Sequence, residues 1–132
     1  MSQENLESFH RGMDAWNRGD LEAWLEWLHP EVEWHPSAAL VEGGAYHGRE
    51  GSRRFWNDIV GAFDELAADY EEIRDLGDSA VLGLGRLRGR SRQGVPVDME
   101  YALLVRFRDG LAVWGRSWFT HAQALEAVAA EG

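Results

Sequence analysis

The 132-residue chain contains no cysteine, which excludes disulfides, thiolate metal sites and a cysteine nucleophile. It also lacks lysine: all 13 basic residues are arginine. Against 23 acidic residues this leaves a net charge of −10. A nucleic-acid backbone repels such a surface, so neither DNA nor RNA is expected as a partner. No apolar run approaches the roughly 20 residues needed to cross a bilayer. The opening Met1-Ser2-Gln3-Glu4-Asn5 has neither the basic start nor the apolar stretch of a signal peptide. These features lead us to expect a cytoplasmic protein without a membrane partner.

What the chain does have is aromatic area. Seven Trp and five Phe, within 45% apolar and 27% charged residues, suit a packed globular domain and argue against disorder. The length fits one domain over residues 1–132.

The first half reads as helical. Leu6, Phe9, His10, Met13 and Trp16 recur at helical spacing within Glu4 to Asn17. Gly19 and Asp20 break that helix and cap the next, Leu21 to His29, which Pro30 should stop. Val32 to His35 is short and extended, and Pro36 to His47 reads as a loop. A third helix should run from about Glu50 to Ala62. Strands are expected at Ala68 to Asp75, Ala80 to Arg90, Val97 to Arg108 and Leu111 to Phe119, with Asp109-Gly110 as a two-residue hairpin turn. A last helix should span His121 to Ala130. Helices followed by a meander give an α+β class, with one sheet face on the helices. Strand alternation puts Tyr101, Leu103, Ser117 and Phe119 on one face and Trp114, Arg116 and Trp118 on the other.

Several short runs carry a family resemblance. Ala15-Trp16-Asn17-Arg18-Gly19-Asp20-Leu21, continued by Leu28-His29-Pro30-Glu31-Val32-Glu33-Trp34, resembles the A-x-N-x-G-D-L and L-H-P-D-V-x-W pattern of the SnoaL-like family. Tyr46-His47-Gly48-Arg49-Glu50-Gly51 resembles its Y-x-G-x-x-G segment, Phe107-Arg108-Asp109-Gly110 its F-x-D-G hairpin, and Ala124-Leu125-Glu126-Ala127 its closing helix. The resemblance covers the whole chain in order. It implies the cone-shaped nuclear transport factor 2-like fold: a curved antiparallel sheet wrapped on three N-terminal helices, a short C-terminal helix, and a pocket at the open end.

The family hosts many chemistries, so its known sites are compared position by position. The first-strand Asp, helix-1 Tyr and second carboxylate of ketosteroid isomerases fall at His35, Gly12 and Leu103. The Asp–Arg–Asp set of limonene-epoxide hydrolases falls at Gly85, Leu87 and Ser117, and the acid/base Asp of SnoaL-type cyclases also falls at Ser117. The paired His and Asp of a scytalone dehydratase-like site cannot be assembled. Each site lacks the carboxylate its chemistry requires.

His35 is the candidate base, since an imidazole serves near neutral pH; otherwise it is a strand-end histidine bonded to a carbonyl. Trp34, Tyr46, Trp56, Met99, Tyr101, Leu103, Ser117 and Phe119 are the candidate ligand-binding residues. Gly83 and Gly85 either leave room for a ligand or relieve sheet curvature. Arg86, Arg88, Arg90 and Arg92 read as a charged face paired across strands to Asp98 and Glu100. Trp114 and Trp118 read as an exposed patch suited to a homodimer. The spacings of His29, His35, His47 and His121 require no metal, and no cofactor is expected. The leading functional expectation is binding of a small hydrophobic ligand, extended to isomerase- or cyclase-type proton transfer on a cyclic metabolite. The alternatives are a non-catalytic binder and a dimeric interaction module.

Overall fold

The computed structural model describes residues 2–36 and 44–131. Its first helix, α1 (Ser2–Asn17), buries Phe9, Met13 and Ala15 along the apolar stripe. Gly19 takes a left-handed φ of 71°, and the Asp20 carboxylate accepts from the Ala23 N–H at 3.1 Å to cap α2 (Leu21–Trp27). This helix is shorter than the expected Leu21 to His29. Leu28 already has extended backbone and opens β1 (Leu28–His35), so Pro30 lies inside a strand. The register of β1 with the last strand is interrupted between Leu28 and Glu33, the kind of irregularity that tolerates a residue without an N–H.

Within the stretch expected to be loop, β2 (Tyr46–His47) pairs with Glu33 and Trp34; residues 37–43 lie outside the described residues. Then come α3 (Gly48–Val60), β3 (Phe63–Gly77), β4 (Ala80–Ser91), β5 (Pro96–Arg108), β6 (Leu111–Trp118) and α4 (His121–Glu131). Strand β3 begins at Phe63 rather than Ala68 because pairing with β4, from Phe63 opposite Ser91 to Ala67 opposite Arg88, carries a polar segment into the sheet.

The sheet order is β2-β1-β6-β5-β4-β3. It is mixed rather than wholly antiparallel: β1 runs parallel to β6, with Trp34 opposite Gly115 and His35 opposite Arg116. Phe9, Trp24, Trp27, Leu28, Val32, Val81, Val105 and Phe107 fill the core between this sheet and the N-terminal helices. No described helix is long and apolar enough to cross a membrane.

The other sheet face carries an apolar strip of Leu82, Leu84, Ala102, Leu104 and Trp118. Helix α4 lies on it through Ala124, Ala127 and Val128. The Glu100 carboxylate accepts from the His121 N–H at 2.8 Å, and His121 Nε2 is 2.8 Å from the Gly85 carbonyl oxygen, so the start of α4 is tied to the sheet. Trp118 is consequently only 7% exposed. This corrects the expectation of an open tryptophan pair: Trp118 is buried and Trp114 half-buried beneath the Arg106 guanidinium, 5.4 Å from its ring centroid. Two members of the arginine ladder beside the strip are paired to carboxylates, Arg86 to Asp98 at 2.6 Å and Arg88 to Asp69 and Asp98 at 3.9 Å, while Arg90 and Arg92 donate to the Gly94 and Gly61 carbonyls.

Candidate ligand-binding site

Between helices and sheet lies a cavity whose walls follow from these elements. Met13 and Trp16 come from α1, Trp24 from α2, Trp34 from β1 and Phe55 from α3. Ala68, Tyr70, Leu87, Tyr101, Leu103 and Ser117 face it from the sheet, with His35 and Pro36 at its border. The helical wall is a stack of rings. Trp24 and Trp34 lie 5.8 Å apart at 17°, and Phe55 stacks on Trp34 at 6.3 Å and 21°. Trp16 meets the edge of Trp24 at 5.4 Å. Each such pair contributes about 0.5–1.5 kcal/mol beyond the area it buries, so the rings hold one another in place.

The void itself is small. About 40 Å³ is open to the centres of water-sized spheres, within about 470 Å³ of unoccupied space. By the first measure it holds roughly three waters.

Four polar groups border it. The hydroxyls of Tyr101 and Ser117 share a hydrogen bond. Burial pushes the Tyr101 phenol up to about 12, an effect Ser117 partly offsets. The Tyr70 hydroxyl donates to Met13 Sδ at 3.3 Å, and burial together with Tyr101 holds its pKa well above the usual phenol value. Both phenols therefore stay protonated and act as donors, not bases. The fourth group, Trp34 Nε1, is buried with no hydrogen-bond partner among the described residues. A buried donor without an acceptor costs about 1–3 kcal/mol, which a ligand oxygen in reach would recover.

The structure sorts the sequence candidates. Trp34, Tyr101, Leu103 and Ser117 border the cavity. Tyr46, Trp56 and Met99 do not. Tyr46 is 2% exposed, packs on Phe55 and donates to Asp58 at 3.0 Å. Trp56 packs against Trp16 and Trp24 in the core, and Met99 is half-buried opposite Leu87. Phe119 lines a neighbouring open cleft instead. Gly83 and Gly85 supply no ligand space: a Cβ on Gly83 would stand 2.6 Å from the Tyr70 ring, and one on Gly85 1.9 Å from the Asp69 carbonyl oxygen. Gly12, the position of the isomerase tyrosine, is filled in the same way by the Trp27 ring, 2.2 Å from such a Cβ.

His35 stands at the edge of the cavity. Its Nε2 lies 2.8 Å from a Glu33 carboxylate oxygen, and its ring centroid 5.5 Å from that of Trp114. Glu33 and Trp114 are partners across β1 and β6, on the face opposite Trp34 and Gly115. The imidazole therefore turns away from the cavity, although His35 borders it at the strand end. Its carboxylate partner, Glu33, lies on the outer face of the sheet.

Met13, Trp16, Trp24, Phe55, Ala68, Tyr70 and Leu87 were not among the sequence candidates. For Met13, Trp16 and Trp24 the signal was present as the buried helical stripes; for Tyr70 it was parity with Ala68 along one strand. Among the described residues, no group of three or more His, Asp or Glu side chains converges to hold a metal ion.

The comparisons with known proteins agree with this fold. The SnoaL-like domain model matches residues 9–114. No curated protein matches the chain. Among solved structures, an NTF2-like protein of unknown function from Burkholderia pseudomallei superposes with a TM-score of 0.79 at 23% identity, over 93% of this chain and 95% of that one. TerC, co-crystallised with polyporic acid, gives 0.78 at 22% identity over 96% and 98%. Rv0760c from Mycobacterium tuberculosis, in complex with estradiol-17β-hemisuccinate, gives 0.79 at 18% identity over 90% and 95%.

Proposed function

The chain belongs to the SnoaL-like domain family, and from that premise we propose that it binds a small, flat hydrophobic molecule in the aromatic cavity. The observation that carries this reading is the wall of Trp24, Trp34 and Phe55 facing protonated phenols at Tyr70 and Tyr101. Stacked rings hold a planar apolar body, and neutral donors orient a single oxygen on it. Two proteins of similar fold have been crystallised with polyporic acid and with estradiol-17β-hemisuccinate.

The void is too small to admit such a ring unchanged, since ligand pockets commonly measure about 300–1,000 Å³. Trp16 and Phe55 on the helical wall, like Tyr70, Leu87 and Tyr101 on the sheet, are only partly buried, and it is among these that the wall gives way. Binding is favoured over proton transfer because the His35 imidazole faces Glu33 and the phenols resist ionisation. The family's isomerase and cyclase chemistries therefore take second place in this reading. A homodimer through Trp114 and Trp118 also takes second place, because α4 covers that strip within the single chain.

Thermal shift against a panel of planar hydrophobic compounds tests the proposal. Stabilisation should persist in His35→Ala and be lost in Leu103→Phe, which narrows the cavity. Loss in His35→Ala with retention in Leu103→Phe would move the site to the outer face. Turnover of a cyclic ketone that disappears in His35→Ala would restore the proton-transfer reading.

A further inference from the structure

Beside the cavity, and sharing His35, Pro36 and Ser117 with it, lies an open cleft lined also by Gly44, Arg116, Trp118, Phe119 and Gln123. By the same measure that gives the cavity about 40 Å³, the cleft offers about 450 Å³. It lies where β1 ends at His35 while β6 runs on to Trp118. The two spaces are therefore adjoining compartments of opposite character: a small one walled by rings and a roomy one with polar lining.

The basic side chains bordering them differ in one respect. His35 is matched by Glu33 at 2.8 Å. Arg116 has no carboxylate within ion-pairing distance among the described residues; its guanidinium carbon instead sits 5.0 Å from the centroid of the Trp118 ring. Stacking on a buried indole limits the orientations of the guanidinium while leaving its N–H edge free for a carboxylate. The arginines of the other large surface cleft already have carboxylate neighbours: Arg18 pairs with Asp14 and Asp20, and Arg88 lies near Asp69 and Asp98. On a chain of net charge −10, an arginine with no carboxylate partner among the described residues, in a cleft that adjoins the apolar cavity where β1 ends, favours an anion.

Resting on the reading of the cavity as a ligand site, we infer that the ligand is an amphipathic monoanion. Its ring enters the aromatic cavity, and its carboxylate remains outside in the cleft on Arg116. The ring and the charge then meet separate compartments, and the carboxylate keeps part of its hydration, so no unpaired charge is buried.

Tryptophan-fluorescence titration with 2-naphthoate and its neutral isostere 2-naphthamide tests this inference. The wild-type protein should prefer the acid by about tenfold, the scale of one charge-assisted pair at an accessible site. Arg116→Gln should erase that preference while leaving naphthamide affinity unchanged, and Arg116→Lys should keep part of it. Naphthamide binding by the glutamine variant doubles as its folding control. Equal affinity of the wild type for both compounds, or a preference that survives Arg116→Gln, overturns the inference and leaves the cavity reading standing. Binding of neither at millimolar concentration overturns both.

Discussion

The Trp34 indole occupies the space a side chain at Gly115 would need: a Cβ there would stand 1.9 Å from Cζ3 and 2.3 Å from Cε3. The two residues are opposite partners in the parallel β1–β6 pairing, so the overlap follows from register. The ring cannot retreat freely, because Trp24 stacks on it at 5.8 Å and Phe55 at 6.3 Å. Gly115→Ala therefore sets two effects against each other. Replacing glycine inside a strand is worth roughly 0.5–1 kcal/mol in its favour, whereas overpacking a core costs about 1–3 kcal/mol. Overpacking should win, lowering the urea midpoint by about 1–2 kcal/mol of stability with an unchanged slope. A midpoint equal to or above the parent's would show that the indole moves easily.

Two tryptophans of the same core make a matched comparison. Trp27 Nε1 donates to Ser8 Oγ at 2.9 Å, and that hydroxyl in turn donates to the Gly110 carbonyl at 2.8 Å. Trp34 Nε1 has no hydrogen-bond partner among the described residues. Both are at most 5% exposed, so Trp27→Phe and Trp34→Phe lose comparable ring volume. Only the first loses a hydrogen bond, and only the second removes a stranded donor. Chemical denaturation should find Trp27→Phe the more destabilised by about 1–2 kcal/mol. The reverse order would mean that the Trp34 N–H has an acceptor in solution.

How far the sequence reveals this protein depends on the range of the signal. Helical stripes and the Asp109-Gly110 hairpin are local, and the elements they mark are present, with Asp109 and Gly110 at φ 54° and 78°. The early start of β3 is not local: its polar residues join the sheet only because β4 supplies partners. The same holds for the parallel contact of β1 with β6. The cover over Trp118 escapes notice because α4 is rich in alanine and presents a weak apolar stripe. The orientation of His35, by contrast, was legible. Once Trp34 is assigned to the core, alternation sends His35 to the other face. The family alignment pulled it toward the cavity, and strand parity was the stronger guide.

The cavity phenols make stability depend on alkaline pH. Tyr101 titrates at about 12 in the fold against an ordinary value of 10, and Tyr70 is raised as well. A raised folded pKa means that the neutral form is favoured by folding. The contribution is complete below pH 10 and fades as the unfolded chain ionises, until Tyr101 itself titrates near 12. For Tyr101, which is only partly buried by surface area, the loss is at most about 2–3 kcal/mol. Urea midpoints measured from neutral pH to about 11 should fall less steeply in Tyr101→Phe than in the wild type. Parallel curves would place the Tyr101 hydroxyl in free contact with water.

Removal of α4 separates its role as a cover from any role in the cavity. The helix touches the strip of Leu82, Leu84, Ala102, Leu104 and Trp118, while the ring-walled cavity lies on the opposite face. A chain ending at Thr120 loses Ala124, Ala127 and Val128 from that strip and frees Glu100 from the His121 N–H. The uncovered residues are contiguous and apolar, the kind of patch that drives association. Light scattering should give the shortened chain a larger mass than the full chain at equal concentration, with redder tryptophan emission as Trp118 meets water. Adding Trp118→Arg and Leu104→Glu to the shortened chain should reverse the association, because charge on both sides of the strip makes its burial costly. Equal masses for the full and shortened chains would show that the strip does not associate once uncovered, and the tryptophan patch would then lose its claim as an interface.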